Sequence, residues 1–77
     1  MDQTVSVFPK NKFQEVRVGV REFKGNDLVD VRIRTNSQVA DQMVPTAKGV
    51  TINVQLLAQL IKALQDAEKV LKENSLL

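Results

Sequence analysis

The most regular feature of the chain is an alternation of apolar and polar residues in its first half. Valine occupies every second position of residues 16–20, and apolar residues alternate again with polar ones in 29–33. Successive side chains of a β-strand point to opposite faces, so each segment predicts a strand with one apolar face. Between them, residues 24–27 carry a turn signal in which Gly25 and Asn26 suit the positive φ angles of a tight turn. The pattern predicts an antiparallel hairpin.

Weaker strand patterns flank this hairpin. Val5 and Val7 alternate with polar residues, which predicts a short strand that Pro9 ends. Residues 36–48 are polar and irregular, as is typical of a loop, and a short further strand is predicted from residue 50.

A helix follows, because apolar residues of the C-terminal part recur at intervals of three and four. Asn53 is a suitable N-cap for this helix, and Asn74 is a suitable end. The apolar stripe consists of Leu57, Leu60, Ile61, Leu64, Ala67 and Leu71.

Together these elements predict one α+β domain over residues 1–77, in the order β-β-β-β-α. Residues 1–12 hold a first strand and its connection, 13–54 the sheet, and 54–74 the helix. The valine-rich face of the sheet is expected to pack on the helix. A chain of 77 residues buries only about 60% of its unfolded surface. Because it has no cysteine for disulfides or thiolate metal sites, we expect a partner subunit to complete the core.

Positive charge is concentrated in one region, although the net charge is only +2. By alternation, all four arginines share the sheet face opposite the valines with one aromatic ring. Bases of a nucleic acid strand can stack on such a ring while the phosphates meet the guanidinium groups. This face holds Phe23 with Arg17, Arg21, Arg32 and Arg34.

A plainer interpretation of the same residues also stands. Lys24 in the turn and Lys48 in the loop are candidates to extend a phosphate track. A phenylalanine before a turn, however, often covers a hydrophobic edge or a partner subunit. Exposed arginines are often only solvated or paired, here with Glu22 and Asp30. From the pattern alone, nucleic-acid binding and a structural or interaction surface are both open.

The sequence argues against catalysis, metal binding and membrane insertion. Histidine is absent, so Ser6, Ser37 and Ser75 have no such base to activate them, and no glycine-lysine phosphate loop is present. The polar face of the helix mixes charges of both signs, which disfavours a membrane surface. No signal peptide or spanning segment is evident. An intracellular protein that is not an enzyme and needs no cofactor is expected.

Three segments resemble a known family. Residues 20–25 (Val-Arg-Glu-Phe-Lys-Gly), 28–32 (Leu-Val-Asp-Val-Arg) and 48–53 (Lys-Gly-Val-Thr-Ile-Asn) are similar to the transcriptional coactivator family called positive cofactor 4. The resemblance covers roughly residues 16–72 and implies a curved four-stranded antiparallel sheet followed by a C-terminal helix. It also implies symmetric homodimers joined through those helices, whose sheets receive single-stranded DNA or unpaired duplex regions. The matching binding positions are Arg21, Phe23, Lys24, Gly25, Arg32 and Lys48.

The chain departs from the eukaryotic members of this family at several positions. Asn26 replaces a lysine, while Thr35 and Leu57 replace tryptophans. The change at Thr35 removes one stacking platform, and Arg34 is an extra cation that could compensate. These departures favour a bacterial or phage member. The expected location is then the cytoplasm with the nucleoid, or the host cytoplasm for a phage protein, and the nucleus only for a eukaryotic one.

The combined expectation is single-stranded DNA binding with little sequence specificity, in transcription coactivation, replication or recombination. Transcription or replication proteins are expected as further partners. The alternative is an adaptor that docks on RNA polymerase or another regulator and binds DNA weakly. The predicted interface consists of Arg17, Arg21, Phe23, Lys24, Gly25, Arg32, Arg34 and Lys48.

Overall fold

Four antiparallel strands form an open sheet that one C-terminal helix follows. The structure, a computed structural model, describes residues 2–36 and 43–77. The strands lie in the sheet in chain order, so the first and the last are its edges. This arrangement confirms the predicted β-β-β-β-α order. The elements are β1 (Gln3–Pro9), β2 (Gln14–Phe23), β3 (Asn26–Asn36), β4 (Met43–Asn53) and α1 (Leu57–Glu73).

The β2–β3 hairpin is tighter than the sequence predicted. Phe23 pairs with Asn26, so only Lys24 and Gly25 form the turn. Their φ angles are 53° and 80°, as in the two-residue turns that match the twist of an antiparallel hairpin. The prediction that Gly25 and Asn26 take positive φ was therefore wrong for Asn26, which already belongs to β3. Lys24 takes that conformation instead.

Strand β4 begins earlier than predicted. It starts at Met43, whereas the polar pattern indicated a loop as far as residue 48; residues 37–42 of that loop lie outside the described part of the chain. Pro45 is tolerated because β4 is an edge strand. The pairing of β4 with β3 also shifts between Arg32 and Arg34, and this bulge interrupts the alternation from which the strand could have been recognised.

Strand β1 also contains a shift of register. The shift falls between Thr4 and Ser6, so the predicted alternation of Val5 with Val7 is broken. Val7 lies opposite Arg17, whereas Phe8 lies opposite Val16. The ring of Phe8 therefore belongs to the valine face of the sheet.

A short 3-10 turn leads from β4 into the helix. Asn53 acts as the predicted cap, because its side chain accepts a hydrogen bond from the N–H of Gln55 at 2.9 Å. A 3-10 turn, Val54–Leu56, precedes α1, and Asn74 is the C-cap residue. The first turn of the predicted helix is thus a 3-10 turn.

The expected packing of the valine face on the helix does not form within the chain. Apart from the 3-10 turn, α1 has scarcely any contact with the sheet. Its apolar stripe is open, with Leu64 60% and Ile61 46% exposed. Among the described residues, Val29 is the sole buried hydrophobic residue. The chain thus brings an apolar sheet face and an apolar helix stripe that it does not bury against each other.

The dimensions of the chain agree with this picture. Its accessible surface is 6171 Å², which exceeds by about 1,500 Å² the area expected for a folded monomer of 8.6 kDa. The Cα radius of gyration is 14.8 Å, against about 11.5 Å for a compact domain of this length. A standard protein interface takes about 800 Å² from each partner, so the surplus surface is large enough for one.

Candidate nucleic-acid interface

The pairing of β2 with β3 gathers most of the predicted site residues on one side of the sheet. Arg17 lies directly opposite Arg32, and Glu15 lies opposite Arg34. Directly opposed residues of antiparallel strands share a face. We call this side the basic face. It consists of Glu15, Arg17, Gly19, Arg21 and Phe23 of β2 with Asn26, Leu28, Asp30, Arg32 and Arg34 of β3.

Arg32 is held by three groups of its own chain. Its Nη2 donates to the carboxylate of Asp30 at 2.8 Å and to the hydroxyl of Thr51 at 3.0 Å. Its Nη1 donates to the carbonyl of Ala47 at 3.2 Å. The Thr51 hydroxyl in turn donates to Asp30 at 2.6 Å. The guanidinium group is thus fixed in position while its side chain is still 21% exposed.

This network sets the protonation of Asp30. Partial burial of the carboxyl works to raise its pKa, but the hydrogen bonds from Arg32 and Thr51 and the charges of Arg32 and Arg21 outweigh burial. The pKa of Asp30 is therefore held below its ordinary value. The hydrogen bond to Asp30 raises the pKa of Arg32 against a smaller opposing effect of desolvation. Both groups are charged at neutral pH.

A second group of charges lies further along the basic face. Arg34 donates through Nη2 to the carbonyl of Met43 at 2.8 Å, which ties it to β4. An oxygen of Glu15 lies 3.9 Å from both Nη2 of Arg17 and Nε of Arg34. At that distance the interaction is an ion pair without a hydrogen bond, so it constrains the two arginines less than Asp30 constrains Arg32.

Phe23 and Lys24 stand at the turn end of β2. The ring of Phe23 is 57% exposed, and Nζ of Lys24 lies 5.3 Å from its centroid, within the range of a cation–π contact. Gly25 completes the turn, with open space around the position that a Cβ would take. An exposed ring with an adjacent ammonium group suits a base and its phosphate.

A shallow depression crosses the basic face at Gly19, which has no side chain. Arg17 and Arg21 flank it along β2, and Thr4 and Asp30 contribute from the neighbouring strands. Its volume is about 250 Å³. The depression thus extends across β2, from β1 to β3, between the side chains of Arg17 and Arg21.

The structure does not bring Lys48 to the basic face by strand pairing. Lys48 lies in the bulge of β4, where the regular alternation of sides is lost. Its N–H donates to the hydroxyl of Thr46 at 3.1 Å, and that hydroxyl donates to the carbonyl of Ile33 at 2.8 Å. Thr46 thereby stabilises the bulge. Next to it, Gly49 has φ 153° and lies opposite Arg32.

Sequence reasoning found part of this site and missed part of it. The suggested pairing of Asp30 with an arginine is confirmed, whereas Glu22 makes no ion pair within residues 2–36 and 43–77. Thr51 was missed as a partner of Arg32, and so was the close approach at Gly49. A Cβ on Gly49 would collide with the carbonyl of Val31 and lie 2.9 Å from Cα of Arg32.

The chain is therefore a small α+β domain in which an open antiparallel sheet with one basic face precedes a C-terminal helix. The chain belongs to the family described as Transcriptional Coactivator p15 (PC4), whose sequence profile matches residues 10–63. This family is one of DNA-binding proteins without enzymatic activity. Among curated proteins, none is significantly similar to the chain.

Solved structures of the same fold come from a bacterium and a phage. A PC4 homologue from Burkholderia pseudomallei is 32% identical in a tetragonal crystal form, with a TM-score of 0.78 over 88% of this chain and 98% of that one. Its orthorhombic form gives 33% identity and a TM-score of 0.77 over 86% and 88%. A bacteriophage T5 homologue of PC4, implicated in recombination-dependent DNA replication, is 26% identical with a TM-score of 0.69 over 97% and 82%.

The described part of the chain contains no helix that is both long and apolar enough to cross a bilayer. In the same residues, no three histidine, cysteine or acidic side chains are grouped as a metal site would require.

Proposed function

We propose that the protein binds single-stranded DNA with little sequence specificity through its basic face, without catalysis. The observation that carries this proposal is the strand register that sets Arg17 opposite Arg32 and continues to the exposed ring of Phe23. Membership of the PC4 family supports it. The T5 homologue, implicated in recombination-dependent DNA replication, suggests an accessory role in replication or recombination beside transcription.

In this mechanism the phosphates meet the arginines and a base stacks on Phe23. Three of the five N–H groups of Arg32 bond to Asp30, Thr51 and Ala47, which leaves two for a phosphate. Because the side chain is already held, little of its freedom is lost on binding. Lys24 supplies a cation beside the ring. Gly25 keeps the turn narrow, and Lys48 provides a further charge near Arg32 along the chain of β4.

We further propose that two copies associate through α1. The exposed apolar stripe of the helix, the surplus surface of the chain and the near absence of a core in the described residues all support this arrangement. Burial of apolar area stabilises by about 25 cal/mol per Å², so covering these side chains strongly favours association. A dimer would carry two basic faces.

The test of DNA binding is fluorescence anisotropy of a labelled oligothymidylate of about 20 nucleotides, against duplex of equal length, at two salt concentrations. We expect binding that favours the single strand and weakens with salt, with a log–log slope of about −0.7 for each phosphate neutralised. Binding that is absent or indifferent to salt would contradict the proposal and favour the adaptor that docks on another protein.

Two substitutions test the assigned roles. Phe23→Ala should cost about 1–3 kcal/mol of affinity with an unchanged salt slope, because a stacking contact is lost and no charge. Phe8→Ala, which removes a half-exposed ring from the valine face, is the matched control. Arg32→Ala should weaken binding and flatten the slope by about 0.7. If Phe23→Ala binds like the parent, the stacking role is wrong.

A further inference from the structure

We propose that Phe13, together with Lys10 and Lys12, forms a second base-stacking platform at the other end of β2 from Phe23. This inference rests on the proposed DNA binding and extends it to the turn between β1 and β2. The occupant is an unpaired base of the same nucleic acid strand, with its phosphates near the two lysines.

The two ends of β2 carry the same combination of groups. Phe13 is 61% exposed and Phe23 is 57% exposed. Nζ of Lys12 lies 5.9 Å from the centroid of the Phe13 ring, and Nζ of Lys24 lies 5.3 Å from that of Phe23. Each end therefore offers an open aromatic face beside an ammonium group, which is the chemistry that attracts a base and its phosphate.

The register places Phe13 on the basic face. The N–H of Asn36 donates to the carbonyl of Phe13 at 3.1 Å, so these two residues continue the β2–β3 ladder beyond the Gln14–Thr35 pair. Phe13 precedes Glu15 by two residues, and positions two apart in a strand share a side. The ring therefore lies on the side that bears the arginines.

The backbone that carries this ring is fixed by its own turn. The side-chain oxygen of Asn11 accepts the N–H of Phe13 at 2.9 Å. The carbonyl of Gln14 accepts the N–H groups of Lys10 and Asn11 at 3.0 and 3.2 Å. A ring that is exposed on an ordered turn loses little freedom when a base stacks on it, so more of the contact energy remains for binding.

Charge at this end is complementary to phosphate. Residues 8–14 contain Lys10 and Lys12 and no acidic residue. The next acidic residue, Glu15, is already placed between Arg17 and Arg34 at 3.9 Å from each. Nζ of Lys10 is held by the side-chain oxygen of Gln14 at 3.2 Å, so its charge is kept at the turn.

The distance between the two rings can be compared with the length of a DNA strand. Phe23 follows Phe13 by ten positions, which corresponds to about 33 Å along an extended strand. A strand at the duplex rise of about 3.4 Å per nucleotide covers this distance with about ten nucleotides, and an extended strand needs fewer. An oligothymidylate of about 20 nucleotides therefore reaches both rings.

A tryptophan probe tests the stacking directly, because the chain has no tryptophan and no tyrosine. We expect the fluorescence of Phe13→Trp to be quenched on addition of unlabelled oligothymidylate, since indole fluorescence falls when a base stacks on the ring. Phe8→Trp is the matched control, because Phe8 is 50% exposed but lies opposite Val16 on the valine face. Its fluorescence should not change. Equal quenching of both probes, or of neither, would overturn the inference.

Affinity provides the second readout. Phe13→Ala should weaken binding of the 20-nucleotide strand about 5- to 150-fold at an unchanged salt slope. Phe13→Leu keeps the bulk and loses the ring, so it should weaken binding similarly. If both bind like the parent while Phe23→Ala is impaired, this inference fails and the proposed function stands. If the parent itself does not bind the strand, both fail together.

Discussion

On the basic face, Arg32 finds Asp30, Thr51 and the carbonyl of Ala47 within its own chain. On the opposite face, the valines of β2 are only half-buried, and α1 extends away from them with Leu64 60% exposed. One side of the molecule therefore holds its central arginine by polar contacts within the chain, whereas the other presents apolar surface that α1 does not cover. A single chain can thus position charges for a ligand while leaving most of its apolar surface open.

The largest expected effect concerns the apolar side. Leu64→Asp places a charge in the stripe that we propose to be covered, and both copies carry the change. Truncation of one buried leucine costs about 2–5 kcal/mol, so a charge in each copy should abolish association at micromolar concentration. Light scattering should report a monomer with a lowered midpoint of unfolding. Gln59→Asp adds the same charge elsewhere on α1 and should leave the mass unchanged; a monomeric parent would contradict the comparison.

The next effect concerns the close approach of β4 to β3. Gly49→Ala combines a strained φ with a collision against the carbonyl of Val31, and each costs about 1–3 kcal/mol. Gly25→Ala is the control, because Gly25 also has a positive φ but nothing lies near its Cβ position. Urea unfolding should show a larger loss of stability for Gly49→Ala. Equal losses would mean that strand contact at this position is unimportant.

A smaller effect concerns Asp30, whose pKa is held below its ordinary value by Arg32 and Thr51 against the effect of burial. A carboxyl with a lowered folded pKa stabilises the protein above its unfolded pKa of about 3.9. That stability is lost as the pH falls through the folded pKa. Asp30→Asn should therefore cost about 1–2 kcal/mol at pH 7 and less at pH 3.

Urea unfolding at the two pH values checks this difference. Asp27→Asn, which changes an exposed acid of the same strand, serves as the control. A loss that is equal at pH 7 and pH 3 would show that the charge of Asp30 does not stabilise the basic face.

The smallest effect concerns the hydroxyl of Thr51. Thr51→Val keeps the shape and removes two hydrogen bonds, one to Asp30 and one from Arg32, at a net cost of about 0.5–1.5 kcal/mol. Thr51→Ser keeps the hydroxyl and should behave like the parent in thermal unfolding. If serine is as harmful as valine, the methyl group matters and the network does not.

The order of elements and the basic face were predictable because they depend on local patterns. A tight turn at Lys24 and Gly25 fixes the pairing of two alternating strands, so the arginines of both strands come to one side. The helix followed equally from its apolar spacing. The residues that act on DNA are still predictions, since strand pairing determines where they lie and not what they bind.

The other features of the site and the fold depend on contacts between distant residues, which the alternation of apolar and polar residues does not reveal. The partnership of Arg32 with Thr51 and its approach to Gly49 follow from the register of β3 with β4, which a bulge alters. Pro45 and this bulge concealed the start of β4. The apolar stripe of the helix predicted packing on the sheet, and that prediction was wrong because α1 has scarcely any contact with the sheet of the same chain.

The two edge strands, β1 and β4, share two features that affect strand pairing. Each contains a proline and a shift of register: Pro9 with the shift near Thr4 in β1, and Pro45 with the shift beyond Arg32 in β4. Open strand edges invite further strands, and this is how many sheet proteins polymerise into fibrils. A missing N–H and a bulge at each edge interrupt such growth. Both edges of the sheet are thus protected against the addition of further strands, although its arginine side is open.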